Sequence, residues 1–292
     1  MEQCAIAAHA NQCAKGIASA PLSMQQAAMT DRTHHPVTAL LLAGRRPGID
    51  PLGEAYGVPD KVLIRIAGEA MLSRVAKTLT SHPGIAKVVV VAQDPAALME
   101  DEQTRWMAGE SKIATLAGPS SVSAAVEQGL AEEGGPLFVT TADNVLLTHA
   151  MIDHFLAAAD GYDVAAGAVE RQVLLMAYPQ SQRTWLKFKN GWWSGANLFW
   201  FGGPKAKPLL DLWRGVEQDR KKGWKIIASF GPALLLGAAL RLITGPEAVE
   251  RAGRKLGLKA ALVPMPQAEA CIDVDKPLDV EQVEAILAAK GG

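Results

Sequence analysis

Acidic residues stand at two places in the chain where carboxylates could bind a metal ion. Asp143 closely follows the apolar run 136–141, and Asp273 and Asp275 alternate in a stretch near the end of the chain. A carboxylate just after a buried strand lies at the sheet edge where α/β proteins bind ligands. One or two carboxylates, completed by phosphate oxygens, are a usual site for Mg²⁺. Asp143 is therefore a candidate magnesium ligand; the alternative is that it caps a helix starting near Thr148.

A polar loop near the start of the folded region is a candidate phosphate site. It spans residues 44–60 and connects the apolar run 37–43 to Lys61. Backbone N–H groups of a glycine-containing loop after a buried strand bind phosphate oxygens, and Arg45 and Arg46 would add positive charge there. Lys61 would return as a point charge over the same phosphates. An ordinary solvated loop is the alternative, because the chain has neither a G-x-G-x-x-G nor a G-x-x-x-x-G-K-[ST] sequence.

The segment from Gly118 to Leu130 is a third candidate. It begins with a turn of small residues and continues as a predicted helix that opens with Ser120 and Ser121. Such a turn lets a nucleobase lie close to the backbone. Plain capping of the helix by a serine hydroxyl is the alternative.

Predicted strands and helices alternate along the part of the chain that carries these residues. The apolar runs predict strands at 37–43, 87–92, 113–116, 136–141, 163–169, 198–201 and 260–264. The helical spacings predict helices at 70–81, 94–107, 120–130, 150–159 and 280–289. This order is typical of βαβ units with a mainly parallel sheet. Residues 204–258 are instead predicted to form a helical insert.

The segment 41–72 resembles the opening of the superfamily of MobA-like nucleotidyltransferases and sugar-nucleotide pyrophosphorylases. Its sequence, LLAGRRPGIDPLGEAYGVPDKVLIRIAGEAML, shares the family's L-A-G start, its lysine step at 60–63 and its helix entry at 68–72. There is one departure: without a gap, the family's second glycine falls on Arg46 and its arginine falls on Gly48. Arg45 or Arg46 would then replace that arginine.

Two later segments resemble the same family. Asp143 matches its metal-binding aspartate, and 272–280 matches its D-x-D-T-P-x-D-L ending, with Lys276 in place of threonine. The ending implies a second metal ligand, for which Asp275 matches better than Asp273. Both side chains share a face in an extended stretch. Asp279 is predicted to cap the closing helix.

The resemblance implies a fold and a set of binding residues. The fold would be a three-layer α/β/α Rossmann-like (GT-A-like) nucleotidyltransferase fold, with a mostly parallel mixed sheet and a helical insert near the C-terminus. The nucleotide would contact Leu42, Ala43, Gly44, Gly118, Ser120, Ser121 and Ala124. The acceptor would contact a predicted turn at 192–197 through Gly195 and Asn197, together with Lys187. A solvated strand face is the alternative for Lys187.

The implied function is transfer of a nucleotidyl group, with Mg²⁺ as cofactor, from a nucleoside triphosphate to a phosphorylated small molecule. Lys61 and Arg45 or Arg46 would stabilise the transition state. CTP and a polar-alcohol or sugar phosphate are the first hypothesis. The alternatives are a molybdenum cofactor guanylyltransferase and a non-catalytic nucleotide-binding scaffold, which the altered glycine pattern would suit.

Composition excludes some classes of protein. The formal net charge is −1, so no overall basic field favours nucleic acid. Cys4, Cys13 and Cys271 are odd in number and lack the spacing of metal ligands, which predicts free thiols in a reducing cytosol. Residues 1–36 lack the pattern of a secretory signal and are predicted to be a flexible leader before a domain at 37–292. A cytoplasmic protein is expected.

The apolar segment 226–244 has three interpretations. It could be a helical hairpin packed on the sheet or in a homodimer interface. It could be a peripheral membrane contact, helped by the basic and aromatic residues at 220–225. It could also span a membrane, because it is 19 residues long. Gly231, Pro232, Gly237 and Arg241 interrupt the segment, and they favour the first interpretation.

Overall fold

The structure is a computed structural model that describes residues 37–45, 48, 50–119, 121–189, 191–218 and 240–291. Its strands are β1 Val37–Leu42, β2 Arg65–Ile66, β3 Glu69–Ala70, β4 Ile85–Ala92, β5 Ile113–Ala117, β6 Leu137–Thr141, β7 Val164–Glu170, β8 Leu186–Phe188, β9 Gly191–Phe201 and β10 Ala260–Pro264. The described helices are α1 Pro51–Ala55, α2 Met71–Ser81, α3 Pro95–Leu98, α4 Val122–Glu133, α5 His149–Ala159, α6 Arg171–Ala177, α7 Lys207–Gln218, α8 Gly245–Lys255 and α9 Pro277–Gly291. The predicted leader and most of the apolar segment lie outside this description.

An eight-stranded mixed sheet forms the centre of the fold. Seven strands follow the order β10-β7-β9-β6-β1-β4-β5, and β8 pairs with β9. The pairs β1–β4, β1–β6, β4–β5 and β7–β10 are parallel, and β9 runs antiparallel to its three neighbours. The carboxyl ends of β1, β4, β5 and β6 therefore meet at one edge. The predicted mixed, mostly parallel sheet is confirmed.

Both faces of the sheet are buried, because side chains alternate along each strand. In β1, Ala39 and Leu41 pack in one core with residues of α2, α5 and α9. Leu40 points to the other face, into a core with residues of α4, α7 and α8. Gly129 of α4 lets that helix approach closely, since a Cβ there would lie 3.1 Å from a methyl group of Leu40. The result is the predicted three-layer α/β/α fold.

Two predicted elements are wrong in detail. Residues 94–107 do not form one helix: α3 ends at Leu98, and a 3₁₀ turn follows at Arg105–Gly109. The expected turn at 192–197 lies inside β9, because both edges of that segment find strand partners in β7 and β8. The register with β7 shifts near Gly195, and Asn197 has a φ of +50°. A β-bulge thus replaces the predicted turn.

The predicted helical insert is described only at its two ends. α7 and α8 are helical, as expected, and the part of the insert that the structure describes contains no strand. Residues 240–244, the only described part of the apolar segment, are not helical, and Leu240 and Leu242 are exposed. Within the described ranges, no helix combines the length and apolarity needed to cross a membrane.

Candidate active site

Three predicted site residues meet at one point of the structure. Lys61 Nζ lies 2.7 Å from Asp143 Oδ2 and 2.9 Å from Asp275 Oδ1. The two aspartates are 82 and 214 positions from Lys61 in the chain, so only tertiary folding brings the three together. The side chains of Lys61 and Asp143 are 21% and 13% exposed, whereas that of Asp275 is 66% exposed. This Lys61 cluster therefore has a buried side and a side open to solvent.

Lys61 is held as a cation. It opens a 3₁₀ turn whose N-cap, Asp60, accepts a hydrogen bond from the Val62 N–H at 3.2 Å. Burial disfavours its ammonium, but Asp143 and then Asp275 outweigh that effect and raise the pKa of Lys61 above its ordinary value. The lysine therefore stays protonated at neutral pH and can act as a fixed positive charge.

The backbone around Asp143 links two elements of the cluster. Thr141, the last residue of β6, donates its hydroxyl to Asp143 Oδ1. The carbonyl of Asp143 accepts the N–H of Val274 at 3.2 Å. This bond joins the end of β6 to the segment that carries Asp275, so the backbones that bear the two carboxylates lie side by side.

Asp273 has a different environment from Asp275. Its Oδ1 accepts from Arg183 Nη1 at 2.5 Å, and its Oδ2 accepts from Asn197 Nδ2 at 3.0 Å. Burial and then the nearby Asp143 raise the pKa of Asp273, although Arg183 opposes them. Because both oxygens of Asp273 have protein partners, Asp275 is the better placed of the two to meet a ligand beside Lys61.

The carboxylates fit a divalent ion that is shared with a phosphate. Asp143 and Asp275 already converge on one positive charge, the Lys61 ammonium. In the described part of the chain, no group of three or more His, Cys, Asp and Glu side chains could hold a metal ion. Mg²⁺ commonly takes one or two carboxylates and completes its shell with water and substrate phosphates. A pair of carboxylates, one largely buried and one open to solvent, matches that pattern.

The predicted phosphate loop leaves the sheet beside β4. One backbone N–H near its start is already engaged, since Arg45 N donates to Gln93 Oε1 at 2.9 Å. Arg45 Nη1 contacts the carbonyl of Pro59 at 3.4 Å, which directs this side chain toward the Lys61 turn. Gly44 allows the close approach of Gln93, because a Cβ there would lie 2.9 Å from its amide nitrogen. Arg45 thus contacts the residue two positions before Lys61, and Gln93 is a site candidate that the sequence did not suggest.

The departure from the family's glycine pattern coincides with an unusual backbone conformation at Gly48. Gly48, which aligns with the family's arginine, has a φ of +109°, a conformation that favours glycine. A Cβ at that position would meet no atom within 4 Å. The backbone, rather than crowding, therefore disfavours an arginine there. Arg46, the other predicted replacement, lies outside the described residues.

A carboxylate from α7 occupies the start of α4. Glu217 Oε2 accepts from the hydroxyls of Ser121 at 2.5 Å and Ser123 at 2.7 Å, and from the Ser123 N–H at 3.4 Å. Its Oε1 accepts from the Val122 N–H at 3.1 Å. These donors are the first ones of the helix, where negative charge is favoured. The predicted nucleotide contact at Ser121 is therefore already satisfied by the chain itself.

The other residues of this segment are placed as follows. Ser121 is the N-cap of α4 and accepts from Ala124 N at 3.3 Å, so the capping interpretation holds for it. Gly118 packs tightly on β4, because a Cβ there would lie 2.4 Å from Val91 Cγ1. Ser120 lies outside the description. Leu42, Ala43 and Gly44 lie at the end of β1, on the same sheet edge.

A polar cavity of about 710 Å³ adjoins the Lys61 cluster. It is lined by Gln182, Arg183, Thr184, Leu186, Ser194, Gly195, Asn197, Cys271, Asp273, Asp275, Lys276 and Asp279. The predicted acceptor residues Gly195 and Asn197 are thus in its wall, and Asp275 connects it to the cluster. Lys187 is not among the lining residues; its Nζ lies 4.2 Å from the ring centroid of Trp192.

Sequence reasoning missed three polar residues of this region. Gln93 follows β4 at the carboxyl edge of the sheet, and this position alone could have suggested it. Arg183 lies in a polar connection between α6 and β8, and Glu217 lies in an amphipathic helix. Neither has a motif around it, because each meets its partner only through the tertiary fold.

A family model, the MobA-like NTP transferase domain, matches residues 39–230. No curated protein matches the sequence of the chain. Among solved structures, a hypothetical transferase from Thermus thermophilus is similar at 24% identity and a TM-score of 0.69, over 84% of this chain and 99% of that one. This identity shows a shared fold.

Two more distant structures share the fold. One is 4-diphosphocytidyl-2C-methyl-D-erythritol synthase from Anaerococcus prevotii, at 10% identity and a TM-score of 0.53, over 89% of this chain and 99% of that one. The other is CMP:2-keto-3-deoxy-manno-octonic acid synthetase complexed with CTP, at 15% identity and a TM-score of 0.52, over 87% and 99% of the two chains. The family match covers more than half of the sequence and includes most of β1 as well as Asp143. The chain therefore belongs to the family of MobA-like NTP transferase domains, and its fold is that of nucleotidyltransferases.

Proposed function

We propose that this protein transfers the nucleotidyl group of a nucleoside triphosphate to a phosphorylated small molecule and releases pyrophosphate. The observation that carries the proposal is the Lys61 cluster, in which a lysine and two carboxylates from distant segments meet beside a polar cavity. This arrangement combines a positive charge for phosphates with two oxygen ligands for Mg²⁺.

The transfer needs alignment and charge stabilisation rather than a covalent intermediate with the protein. An oxygen of the acceptor's phosphate forms a bond to the α-phosphorus, and the bond from that phosphorus to the pyrophosphate oxygen breaks. No general base is required, because the attacking phosphate is already an anion. Bound Mg²⁺ would neutralise phosphate charge as it builds up. Asp143 and Asp275 would hold that ion.

The residues of the chain have separate tasks in this scheme. Lys61 offers its positive charge to the phosphates and stabilises the leaving pyrophosphate, and Asp143 and Asp275 would be its partners whenever no ion is bound. Arg45 supplies a second positive charge from the loop. Gly195 and Asn197 contact the acceptor inside the cavity. Backbone groups at the ends of β1 and β5 contact the nucleotide.

CTP and a polar-alcohol or sugar phosphate are the preferred substrates of this proposal. Two proteins of similar fold support CTP: one is a 4-diphosphocytidyl-2C-methyl-D-erythritol synthase, and the other was solved with CTP. The cavity supports a hydroxylated acceptor, since its wall offers hydroxyl and amide groups from Thr184, Ser194 and Asn197. These groups can both donate hydrogen bonds to an acceptor's hydroxyls and accept them.

A screen for pyrophosphate release tests the function. The four nucleoside triphosphates are each incubated with Mg²⁺ and a panel of polyol and sugar phosphates, with and without EDTA. We expect release with one triphosphate, dependent on both acceptor and metal. Nucleotide binding without turnover across a broad panel would favour the non-catalytic scaffold instead.

A molybdenum cofactor guanylyltransferase is the second candidate, because the matching family model describes MobA-like domains. It predicts a preference for GTP. A thermal-shift comparison of the four triphosphates with Mg²⁺ separates the two candidates, since the bound nucleotide stabilises the fold by mass action. Stabilisation by CTP alone would reject the guanylyltransferase, and stabilisation by GTP alone would reject the preferred substrate.

A further inference from the structure

The segment that presents Asp275 is held at both ends by one network. At its start, Arg183 Nη1 and Nη2 each donate to the backbone carbonyl of Asp273 at 3.3 Å, and Nη1 also donates to the Asp273 carboxylate. At its end, Asp279 Oδ2 accepts the N–H groups of Asp275 and Lys276, both at 3.1 Å. The peptide groups on either side of Asp275 are thus fixed.

One guanidinium connects the two ends. Arg183 Nη2 also lies 3.4 Å from Asp279 Oδ1, the other oxygen of the carboxylate that holds Asp275. The side chains of Arg183 and Asp279 are 9% and 5% exposed, so solvent screens the pair little. Because arginine presents several N–H groups in a rigid plane, it fixes directions as well as charge.

We infer that Arg183 is a positioning residue that sets the separation between the carboxylates of Asp275 and Asp143. The inference rests on the proposed function, because it takes these two carboxylates as the metal ligands. Arg183 does not contact the expected metal or phosphates; it acts through the backbone of Asp273 and through Asp279. The same network gives Asp273 its task, which is to hold the guanidinium.

Arg183 can hold this network because its two terminal nitrogens donate hydrogen bonds in different directions at once. A lysine at position 183 would keep one positive charge beside Asp273 and Asp279 but could not donate in parallel to a carbonyl and two carboxylates. The variant Arg183→Lys should therefore fold and leave Asp275 less well placed. Loss of such an outer partner of a metal ligand commonly reduces metal affinity by about 10–100-fold.

Binding of Mn²⁺ to the full-length protein, followed by electron paramagnetic resonance with CTP present and acceptor absent, tests this inference. We expect Arg183→Lys to raise the Kd of Mn²⁺ by about 10-fold or more. The matched control is Arg74→Lys, because Arg74 also bonds a carboxylate and a backbone carbonyl, those of Glu69 and Ile66. The control should alter thermal stability and leave the Kd of Mn²⁺ unchanged.

A second variant keeps the test decisive if Arg183→Lys does not fold. Asp279→Asn removes the charge that links Arg183 to the N–H groups of Asp275 and Lys276, and it should also weaken Mn²⁺ binding. Wild-type affinity in each folded variant would overturn the inference alone. If the wild type bound no Mn²⁺ with any of the four triphosphates, the proposed metal site would fail, and this inference with it.

Discussion

Two regions at the same edge of the sheet are each occupied by a charged side chain of the protein, a cation in one region and an anion in the other. At the Lys61 cluster, an ammonium lies between the carboxylates of Asp143 and Asp275, where a metal is expected. At the start of α4, the carboxylate of Glu217 lies on hydroxyl and N–H donors, where a nucleotide is expected. In each region, a charged side chain of the protein occupies the place of the expected ligand and carries charge of the same sign as that ligand.

The two regions differ in what a ligand must displace. Lys61 carries its charge on a flexible stem with two close contacts, and the cluster is open to solvent at Asp275. Glu217 accepts four hydrogen bonds and belongs to α7, whose Leu210 and Trp213 pack in the core beneath it. Ion exchange at the cluster is therefore expected to be easy, and opening of the α4 start is expected to be costly.

The largest effect should come from a ligand of the expected metal. Asp143→Asn removes the negative charge of one of the two proposed metal ligands. We therefore expect pyrophosphate release to fall by about 10³-fold or more. The matched control is Asp211→Asn, since Asp211 pairs with a lysine on the surface of α7. Initial rates at saturating Mg²⁺ measure both. If pyrophosphate release were unchanged in Asp143→Asn, the Lys61 cluster would take no part in the reaction.

Replacement of Lys61 should separate its two tasks. In Lys61→Met we expect pyrophosphate release to fall by about 10²-fold, as for loss of one group that stabilises the transition state. Mn²⁺ binding without nucleotide should become tighter, because the competing ammonium is gone. Lys207→Met is the control, since Lys207 also bridges two carboxylates, at 2.7 and 3.2 Å. Weaker Mn²⁺ binding in Lys61→Met would contradict the idea of a lysine that gives way to the metal.

A smaller effect is expected at the start of α4. Glu217→Gln keeps the size of the side chain but weakens its hydrogen bonds, and we expect unfolding free energy to fall by about 1–3 kcal/mol. Nucleotide affinity should rise by up to about 10-fold, if the carboxylate competes for the same donors. Glu133→Gln, which breaks a pair with Lys87, serves as the control in denaturant melts and nucleotide titrations. Lower stability with unchanged affinity would mean that Glu217 only braces α7 against α4.

The smallest effect should come from a buried histidine outside both regions. His82 Nδ1 accepts the Gly84 N–H, and His82 Nε2 contacts Asp153 at 3.1 Å. Burial lowers the pKa of His82 below its ordinary 6.5, although Asp153 opposes this. The unfolded chain then binds a proton more readily, so this histidine's contribution to stability is present above pH 6.5 and is lost as the pH falls.

Denaturant melts between pH 7.5 and 5 test that sign. The wild type should lose more stability over this range than His82→Gln. Nucleotide and Mn²⁺ affinities at pH 7.5 should be the same in both, because His82 precedes β4, at the sheet edge opposite the cluster. A changed affinity would show that the two regions are not the only ones that matter to binding.

The sequence predicted the parts of the fold that depend on local pattern. The apolar runs of β1, β4 and β6 were recognised because strands buried on both faces are continuously hydrophobic. Gly134, with a φ of +68°, ends α4 as glycine commonly does. The single helix expected at 94–107 was wrong because the chain turns after Leu98, where the buried hydroxyl of Thr104 donates to the Leu98 carbonyl. The turn expected at 192–197 was wrong because strand pairing with β7 and β8 outweighs the local preference of small residues.

The sequence by itself determined which residues could take part in chemistry, through the strand ends that carry Gly44 and Asp143 and the family pattern at Lys61. Only the tertiary structure decided how they combine. It placed Asp275 on Lys61 and Asp273 on Arg183, although the alternating sequence predicted that both aspartates share one face. It also set Glu217 on the start of α4. The physical reason is that an ion pair needs contact distances, and residues up to 214 positions apart reach them only through the packing of the whole sheet.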